Sequence, residues 1–481
     1  MNRRKALETL RSPIVAFGLA AIVAAATSLS VPSGMGTMLS ITLFCIVLWV
    51  LTPVPPSYTG LIGLGLIAVA FSTDLALVGF QKPATWLIGF GLLMGEATRQ
   101  SGLANAVGRT IATESIGDSS DADTRRTYRR LLFVLALGGH ALAFLVPSAL
   151  VRILALAPIL RELGSWFDSR EARVGLYLGP LFGTFYGSSG ILTADLPNII
   201  ISGFAESIGG HTISWSEWWL HMYPVMGLVR VLLVVGIVYL LFRPPADSAF
   251  DVPGADAATD ETAATDGDGA GARTGTEFGA AERRMLAFLL VGTAIWATDF
   301  VHGFHPVIGA VAVVVLAFLP EIGVADFDTA GGEVDFSILF FIAAVFAIGD
   351  GLTETGFTDT AATHLLEFVP TGAPLAVILA SVFLITFGLT FLMEGVAVAS
   401  VLTPVLIPYI EGAGLPFTPV LLAETMALSS YFFPYQSAVL IVILTEGDIG
   451  TRELIVATVA CSLATIVLLL PIQFGLFSAF Y

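Results

Sequence analysis

The sequence predicts an all-α polytopic membrane protein of about 11 transmembrane helices with two re-entrant helical hairpins and an inverted-topology repeat. Three observations carry that reading. Of the 481 residues, 56% are hydrophobic and 12% charged, about half the charged fraction of an ordinary soluble domain. Apolar runs long enough to cross a hydrocarbon core recur from Pro13 to Phe480. Two of these runs are too long for one crossing and are broken near the middle by polar or helix-breaking residues, as expected where irregular backbone lines a cavity.

The spans lie near 14–31, 36–53, 57–74, 84–101, 174–209, 216–243, 284–301, 306–321, 334–351, 417–446 and 453–479. The two overlong stretches, 128–163 and 374–411, are interrupted at Val146-Pro147-Ser148 and Met393-Glu394-Gly395 and read as the hairpins. Arg3, Arg4 and Lys5 before an apolar stretch imitate a secretory signal, but the membranous segments that follow favour a retained first span. Cys45 and Cys461 both sit in apolar runs, without the partners that a disulfide framework or zinc site requires.

Charge fixes the orientation. Eighteen of the 21 Lys and Arg fall in segments that the alternation of spans puts inside, Arg125, Arg126, Arg129, Arg130, Arg161, Arg170, Arg173, Arg283 and Arg284 among them. This places the N-terminus in the cytoplasm and the C-terminus outside the cell (plasma) membrane. The net charge of −17 has a local source, since Asp247 to Glu282 holds nine carboxylates and one arginine among Gly, Ala and Thr. That composition predicts a solvated cytoplasmic linker and argues against nucleic acid as a partner.

An internal repeat organises the chain. Gly95-Glu96-Ala97-Thr98-Arg99-Gln100-Ser101-Gly102-Leu103 matches Gly349-Asp350-Gly351-Leu352-Thr353-Glu354-Thr355-Gly356-Phe357 at an offset of 254. Each copy leads through an amphipathic stretch into a broken hairpin and then a span interrupted by a polar loop. The divisions are a tail and first helix (1–35), a first inverted repeat (36–243, hairpin 128–163), the acidic linker (244–283) and a second inverted repeat (284–481, hairpin 374–411). The polar loops run from Gly187-Ser188-Ser189-Gly190 to Asp195-Leu196-Pro197-Asn198, and from Ser429-Ser430 to Pro434-Tyr435-Gln436-Ser437. In opposed copies, both tips and both loops converge near the midplane around a polar cavity, where helix N-termini favour a small anion.

With these residues in view, the chain over roughly 36–480 resembles the divalent anion:sodium symporter family of di- and tricarboxylate and sulfate carriers. The loop ending in Pro197-Asn198 is similar to that family's Thr-Pro-Pro-Asn, Pro158 and Pro404 follow the two hairpin tips, and Phe433-Pro434-Tyr435-Gln436-Ser437 resembles the second loop of bacterial members. The resemblance implies a homodimer with a fixed scaffold and a transport domain that moves small dicarboxylates, such as succinate, malate or 2-oxoglutarate, in an elevator-like manner. Substrate contacts are expected at Ser148, Ala149, Arg152, Ser188, Ser189, Gly190, Gly395, Pro434, Gln436 and Ser437. A coupling-ion site, for sodium or a proton, is expected at Ser148, Gly187 and Glu394. Sodium-using members carry Ser-Asn-Thr at each tip, whereas this chain reads Ser148-Ala149-Leu150 and Glu394-Gly395-Val396.

Several residues admit two readings. An intramembrane arginine marks a functional site by default, so Arg152 is expected either to meet the anion or to pair with a carboxylate. Glu394 is expected to bind a cation, accept a proton, or neutralise Arg152 when substrate is absent. Arg230 is expected to be structural, Glu96 and Asp350 to cap or face the interface, and Asp195 to cap a half-helix or line the cavity. An ion exchanger of arsenite or sodium/proton type is the alternative function. More remote is an intramembrane serine protease using Gly187-Ser188-Ser189-Gly190, with His140 as the base. No cofactor or further metal is expected.

Overall fold

The computed structural model describes residues 12–31, 33–103, 106–107, 124–250, 278–368 and 372–481. Within them the chain is helical, with one isolated bridge, Phe167 to Phe250. The first half begins with α1 (Pro13–Ser30), α2 (Ser33–Leu51), α3 (Pro56–Ala70), α4 (Thr73–Gln81) and α5 (Pro83–Ser101). Prolines open α1, α3 and α5, where a missing N–H costs nothing and the fixed φ suits the first turn. Next come α6 (Thr124–Leu145) and α7 (Ala149–Ser165), then α8 (Arg170–Tyr186), two short 3-10 turns, and α9 (Leu196–Ser207). The half ends with α10, a span over Trp215–Leu241 that contains a π-helical segment at Tyr223–Val229.

The second half repeats that order with α11 (Ala280–Ala297), α12 (Val307–Phe318), α13 (Phe327–Glu333), α14 (Ile338–Glu354) and α15 (Phe357–Phe368). The second hairpin is α16 (Leu375–Thr390) and α17 (Gly395–Ala413), and the second interrupted span is α18 (Phe417–Leu428), a 3-10 turn, and α19 (Ala438–Glu446). Last is α20, over Thr451–Phe480, again with a π-helical segment, at Thr465–Leu469. The motif repeated at an offset of 254 has a common physical purpose: Gly102 and Gly356 both adopt left-handed φ, 78° and 75°, and turn the chain at the ends of α5 and α14.

Six of these helices are long and apolar enough to cross a membrane, namely Pro13–Ser30, Gly34–Leu51, Thr124–Leu145, Trp215–Leu241, Gly395–Ala413 and Thr451–Phe480. The protein is therefore a polytopic membrane protein. The span read at 334–351 is α14, and the short α13 ahead of it meets it at 67°. Of the linker read at 244–283, residues 251–277 lie outside the described residues. Its start is folded: Phe250 packs on Phe167 with ring centroids 4.8 Å apart, and Arg125 Nε donates to Pro244 O at 3.0 Å. Its end is folded too, since α11 already begins at Ala280.

Contacts between helix ends reveal how the halves lie. Lys82, just before α5, pairs with Asp350 near the end of α14 at 2.6 Å, whereas Arg99 near the end of α5 meets Glu333 ahead of α14 at 3.7 Å. The equivalent helices α5 and α14 thus run antiparallel. At the other elements the ends are exchanged in the same way. Arg170 at the start of α8 pairs with Glu453 at the start of α20 at 2.9 Å, and Thr418 at the start of α18 donates to Glu217 at the start of α10 at 2.8 Å.

The halves also share cores rather than folding separately. One buried cluster joins Leu135 and Leu142 of α6, Leu156 and Leu160 of α7 and Val234 of α10 to Ile443 of α19 and Cys461 of α20. The first hairpin therefore packs on a half-helix of the second half. A larger cluster does the converse, joining Val398 and Leu406 of α17 to Ile200 and Phe204 of α9.

Candidate functional site

Each half contributes two helices that start inside the protein, α7 and α9 from the first, α17 and α19 from the second. A helix start leaves backbone N–H groups without partners, and all four are capped by their own side chains. Ser148 Oγ accepts from Val151 N at 3.4 Å, Asp195 Oδ1 from Leu196 N at 3.1 Å, Glu394 Oε2 from Val396 N at 2.8 Å, and Ser437 Oγ from Val439 N at 3.3 Å. The caps are crossed between the halves. In the first, serine caps the hairpin helix and an acid caps the half-helix; in the second, the acid is on the hairpin and the serine on the half-helix.

Arg152, one turn into α7, is 1% exposed. Its Nε donates to Thr184 Oγ1 at 2.8 Å, Nη1 to Val146 O at 2.5 Å, and Nη2 to Ser188 Oγ at 2.5 Å, Ala194 O at 3.1 Å and Thr184 O at 3.4 Å. One guanidinium thereby ties the first hairpin tip to both ends of the first polar loop. The charge is met by neutral oxygens and, at longer range, by the Asp195 carboxylate. Of the readings left open for Arg152, a direct pair with Glu394 is not formed here. The Glu394 carboxylate turns back onto the first turn of α17 instead, and the charge it senses from the first half is that of Asp195.

The first loop is otherwise fastened by backbone contacts. Asn198 Nδ2 donates to Ser188 O at 3.1 Å and Ile191 O at 3.0 Å, which explains an asparagine after the loop proline, and Trp218 Nε1 donates to Ser189 O at 3.1 Å. Gly190 is packed against α10, where an added Cβ would stand 2.7 Å from Gly227 Cα, so these two glycines set a backbone-to-backbone approach. Gly187 abuts the His140 ring.

In the second loop the Gln436 amide is fully occupied. Its Oε1 accepts from Phe432 N at 2.6 Å and Phe433 N at 2.8 Å, while Nε2 donates to Thr390 O at 3.2 Å and Thr390 Oγ1 at 3.0 Å. An amide has two donors and two acceptor sites, so Gln436 fixes the loop to the end of α16 and has nothing left for a ligand. Beside it, Tyr435 donates to Phe391 O at the second tip at 3.0 Å. Pro434 opens the 3-10 turn and Gly395 is the first residue of α17 behind the Glu394 cap.

The serine protease arrangement is not assembled. Ser188 Oγ is held between Thr184 O and Arg152, and Ser189 Oγ between Tyr186 O, Met226 O and Arg230. His140 stacks on Tyr223 and meets its hydroxyl at 3.2 Å. Neither serine has the base that a nucleophile needs.

Two further buried ionisable groups lie beside the site. Arg230 of α10, expected to be structural, reaches both polar loops. Glu424 of α18 is wholly buried and touches Thr403 Oγ1 with both carboxylate oxygens, at 3.0 and 3.1 Å; nothing in the spacing of α18 marked it. Glu96 and Asp350 are ion-paired, Glu96 with Arg99 at 2.7 Å and Asp350 with Lys82.

Helices that start inside a polytopic bundle, with buried guanidinia beside the polar loops, are features of a membrane transporter. The sodium:sulfate symporter transmembrane region family matches residues 7–477, and the chain belongs to that family. Among curated relatives, the L-tartrate/succinate antiporters of Escherichia coli K12 and Shigella boydii are each 25% identical over 459 residues, covering 87% of this chain and 88% of theirs. The solved structure of the Alcanivorax borkumensis YdaH transporter shares the fold, with a TM-score of 0.52 at 15% identity over 93% of this chain and 99% of that one. Family and relatives are transporters and not enzymes.

Proposed function

We propose that the protein carries small dicarboxylates, of the succinate and malate class, across the cell membrane by alternating access. The observation that supports this best is Arg152, a buried cation joined to neutral acceptors at the first hairpin tip and the first loop. A dianion that enters a dehydrated site loses its solvation, and a fixed guanidinium beside a serine-capped helix start restores part of it. The Escherichia coli relative named for tartrate and succinate supports the same substrate class.

In this reading the hairpins belong to a transport domain that moves against a scaffold in a homodimer. The arginine-rich end, with Arg99, Arg161, Arg170 and Arg284, faces the cytoplasm. Glu394 is the group assigned to ion coupling, with sodium or a proton as the coupled ion, because it places an ionisable carboxylate at the second tip and a carboxylate can take up either.

Uptake into proteoliposomes tests the proposal. Labelled succinate, malate, citrate, 2-oxoglutarate and sulfate are offered with and without a sodium gradient, a pH gradient and internal succinate. Saturable uptake of C4 dicarboxylates is expected. Absence of uptake for every organic anion, together with arsenite or sodium/proton exchange by the same vesicles, would replace the dicarboxylate reading with the ion-exchanger one.

A further inference from the structure

Arg230 begins the helical segment of α10 that follows the π-helical turn Tyr223–Val229, and it is wholly buried. Its position follows from the glycine contact described above. Gly227 lets α10 touch the first loop at Gly190, and three residues later the guanidinium reaches across to the second loop. Nη1 donates to Ser189 Oγ at 3.1 Å and to Ser429 Oγ at 2.8 Å, and Nη2 donates to Ser429 O at 2.6 Å. Among the described residues, Arg230 alone has side-chain bonds to both polar loops.

Its charge has no carboxylate partner among the described ion pairs, which involve Lys82, Arg99, Arg161, Arg170 and His305. The guanidinium lies 5.0 Å from the centroid of the Tyr186 ring, and its buried Nε–H has no acceptor. A buried cation without a counter-charge is costly, and a staple between two serines does not need one, because a neutral amide also donates two hydrogen bonds. The feature that a neutral staple leaves unexplained is the charge, with a donor to spare.

We propose that Arg230 is a second recognition residue, one that supplies the counter-charge for one carboxylate of a dicarboxylate while holding Ser189 and Ser429 so that both loops face the same ligand. The inference rests on the dicarboxylate reading. Two guanidinia then serve two carboxylates, Arg152 from the first hairpin and Arg230 from the junction of the loops, and preference for a dianion over a monoanion of equal size depends on Arg230.

The test compares binding of succinate with binding of succinamate, its half-amide, to purified wild-type, Arg230→Met and Arg230→Lys proteins, each first checked for a monodisperse, cooperatively melting state. Wild type is expected to favour succinate. Arg230→Met should lower the ratio of the two affinities by about tenfold or more, the worth of one charge-assisted bond, whereas Arg230→Lys should retain most of it with weaker binding of both ligands. Parallel weakening in Arg230→Met with an unchanged ratio would make Arg230 a staple and overturn the proposal. So would a ratio that collapses equally in Arg230→Lys, or failure of both variants to fold. A wild-type protein that binds neither ligand would instead overturn the substrate class itself.

Discussion

Replacing Arg152 by Gln tests whether the first hairpin tip reads anions, and its size can be worked from the donors left over. A guanidinium has five N–H groups. The Nε–H is taken by Thr184 Oγ1, one Nη1 hydrogen by Val146 O, and both Nη2 hydrogens by Ser188 Oγ and Ala194 O, with Thr184 O as a distant third acceptor. One Nη1 hydrogen remains for a ligand oxygen. A single hydrogen bond involving a charged group contributes about 1.5–3 kcal/mol, so Arg152→Gln should weaken dicarboxylate binding by about ten- to 150-fold. The fold should survive, because the lost bonds are offset by relief from burying a cation. Isothermal titration of the purified variant with succinate provides the readout. An unchanged affinity would show that Arg152 only organises the loop and has no part in recognition.

Gln436→Ala should lower the melting temperature in detergent, since it strands Phe432 N, Phe433 N and Thr390 O, at about 1–3 kcal/mol for each group that water does not reach; a melting temperature equal to wild type would mean that the loop is not clamped. Gly190→Ala should destabilise by about 1–3 kcal/mol through overpacking against Gly227, and a thermally silent substitution would contradict the close approach of α10. For orientation, Ser165→Cys and Thr212→Cys, both exposed and at opposite ends of the helices, should differ in labelling by an impermeant maleimide on intact cells. Only Thr212→Cys is expected to react, against no background because Cys45 and Cys461 are buried; reaction at Ser165→Cys would reverse the topology.

How far the sequence could be read depended on whether a feature was local. The hairpins were legible because a helix break at Pro147 or at Glu394-Gly395 is written in adjacent residues, and the repeat because Gly102 and Gly356 both need left-handed backbone. The bend between α13 and α14 was not legible, since Phe327–Glu333 carries Asp328, Gly331, Gly332 and Glu333 and is too polar to read as the start of a span. Partners were the least legible. Arg152 and Glu394 occupy equivalent-looking tips, and opposite charges there invited a pair, yet each has local oxygen or N–H groups of its own within reach. Arg230 looked isolated because its acceptors, Ser189 and Ser429, are 41 and 199 residues away.

The crossed caps give this duplicated architecture a polarity that duplication alone would not. A helix start carries partial positive charge, and a serine cap leaves that charge available to a ligand, whereas a carboxylate cap spends it internally. The ends of α7 and α19, capped by Ser148 and Ser437, are therefore the two that an incoming carboxylate can use, and the ends of α9 and α17 are screened by Asp195 and Glu394. Because α7 packs with α19 and α9 with α17, the anion-attracting ends fall together and the screened ends fall together. Under the proposed function, the first pair of ends is the side that favours the substrate, while Asp195 and Glu394 on the other side are in reach of each other's charge. Exchanging the caps by Ser148→Asp should then abolish dicarboxylate binding, while Ser148→Thr, which keeps a neutral hydroxyl cap, should preserve it; equal binding by the two variants would show that the charge of the cap plays no part.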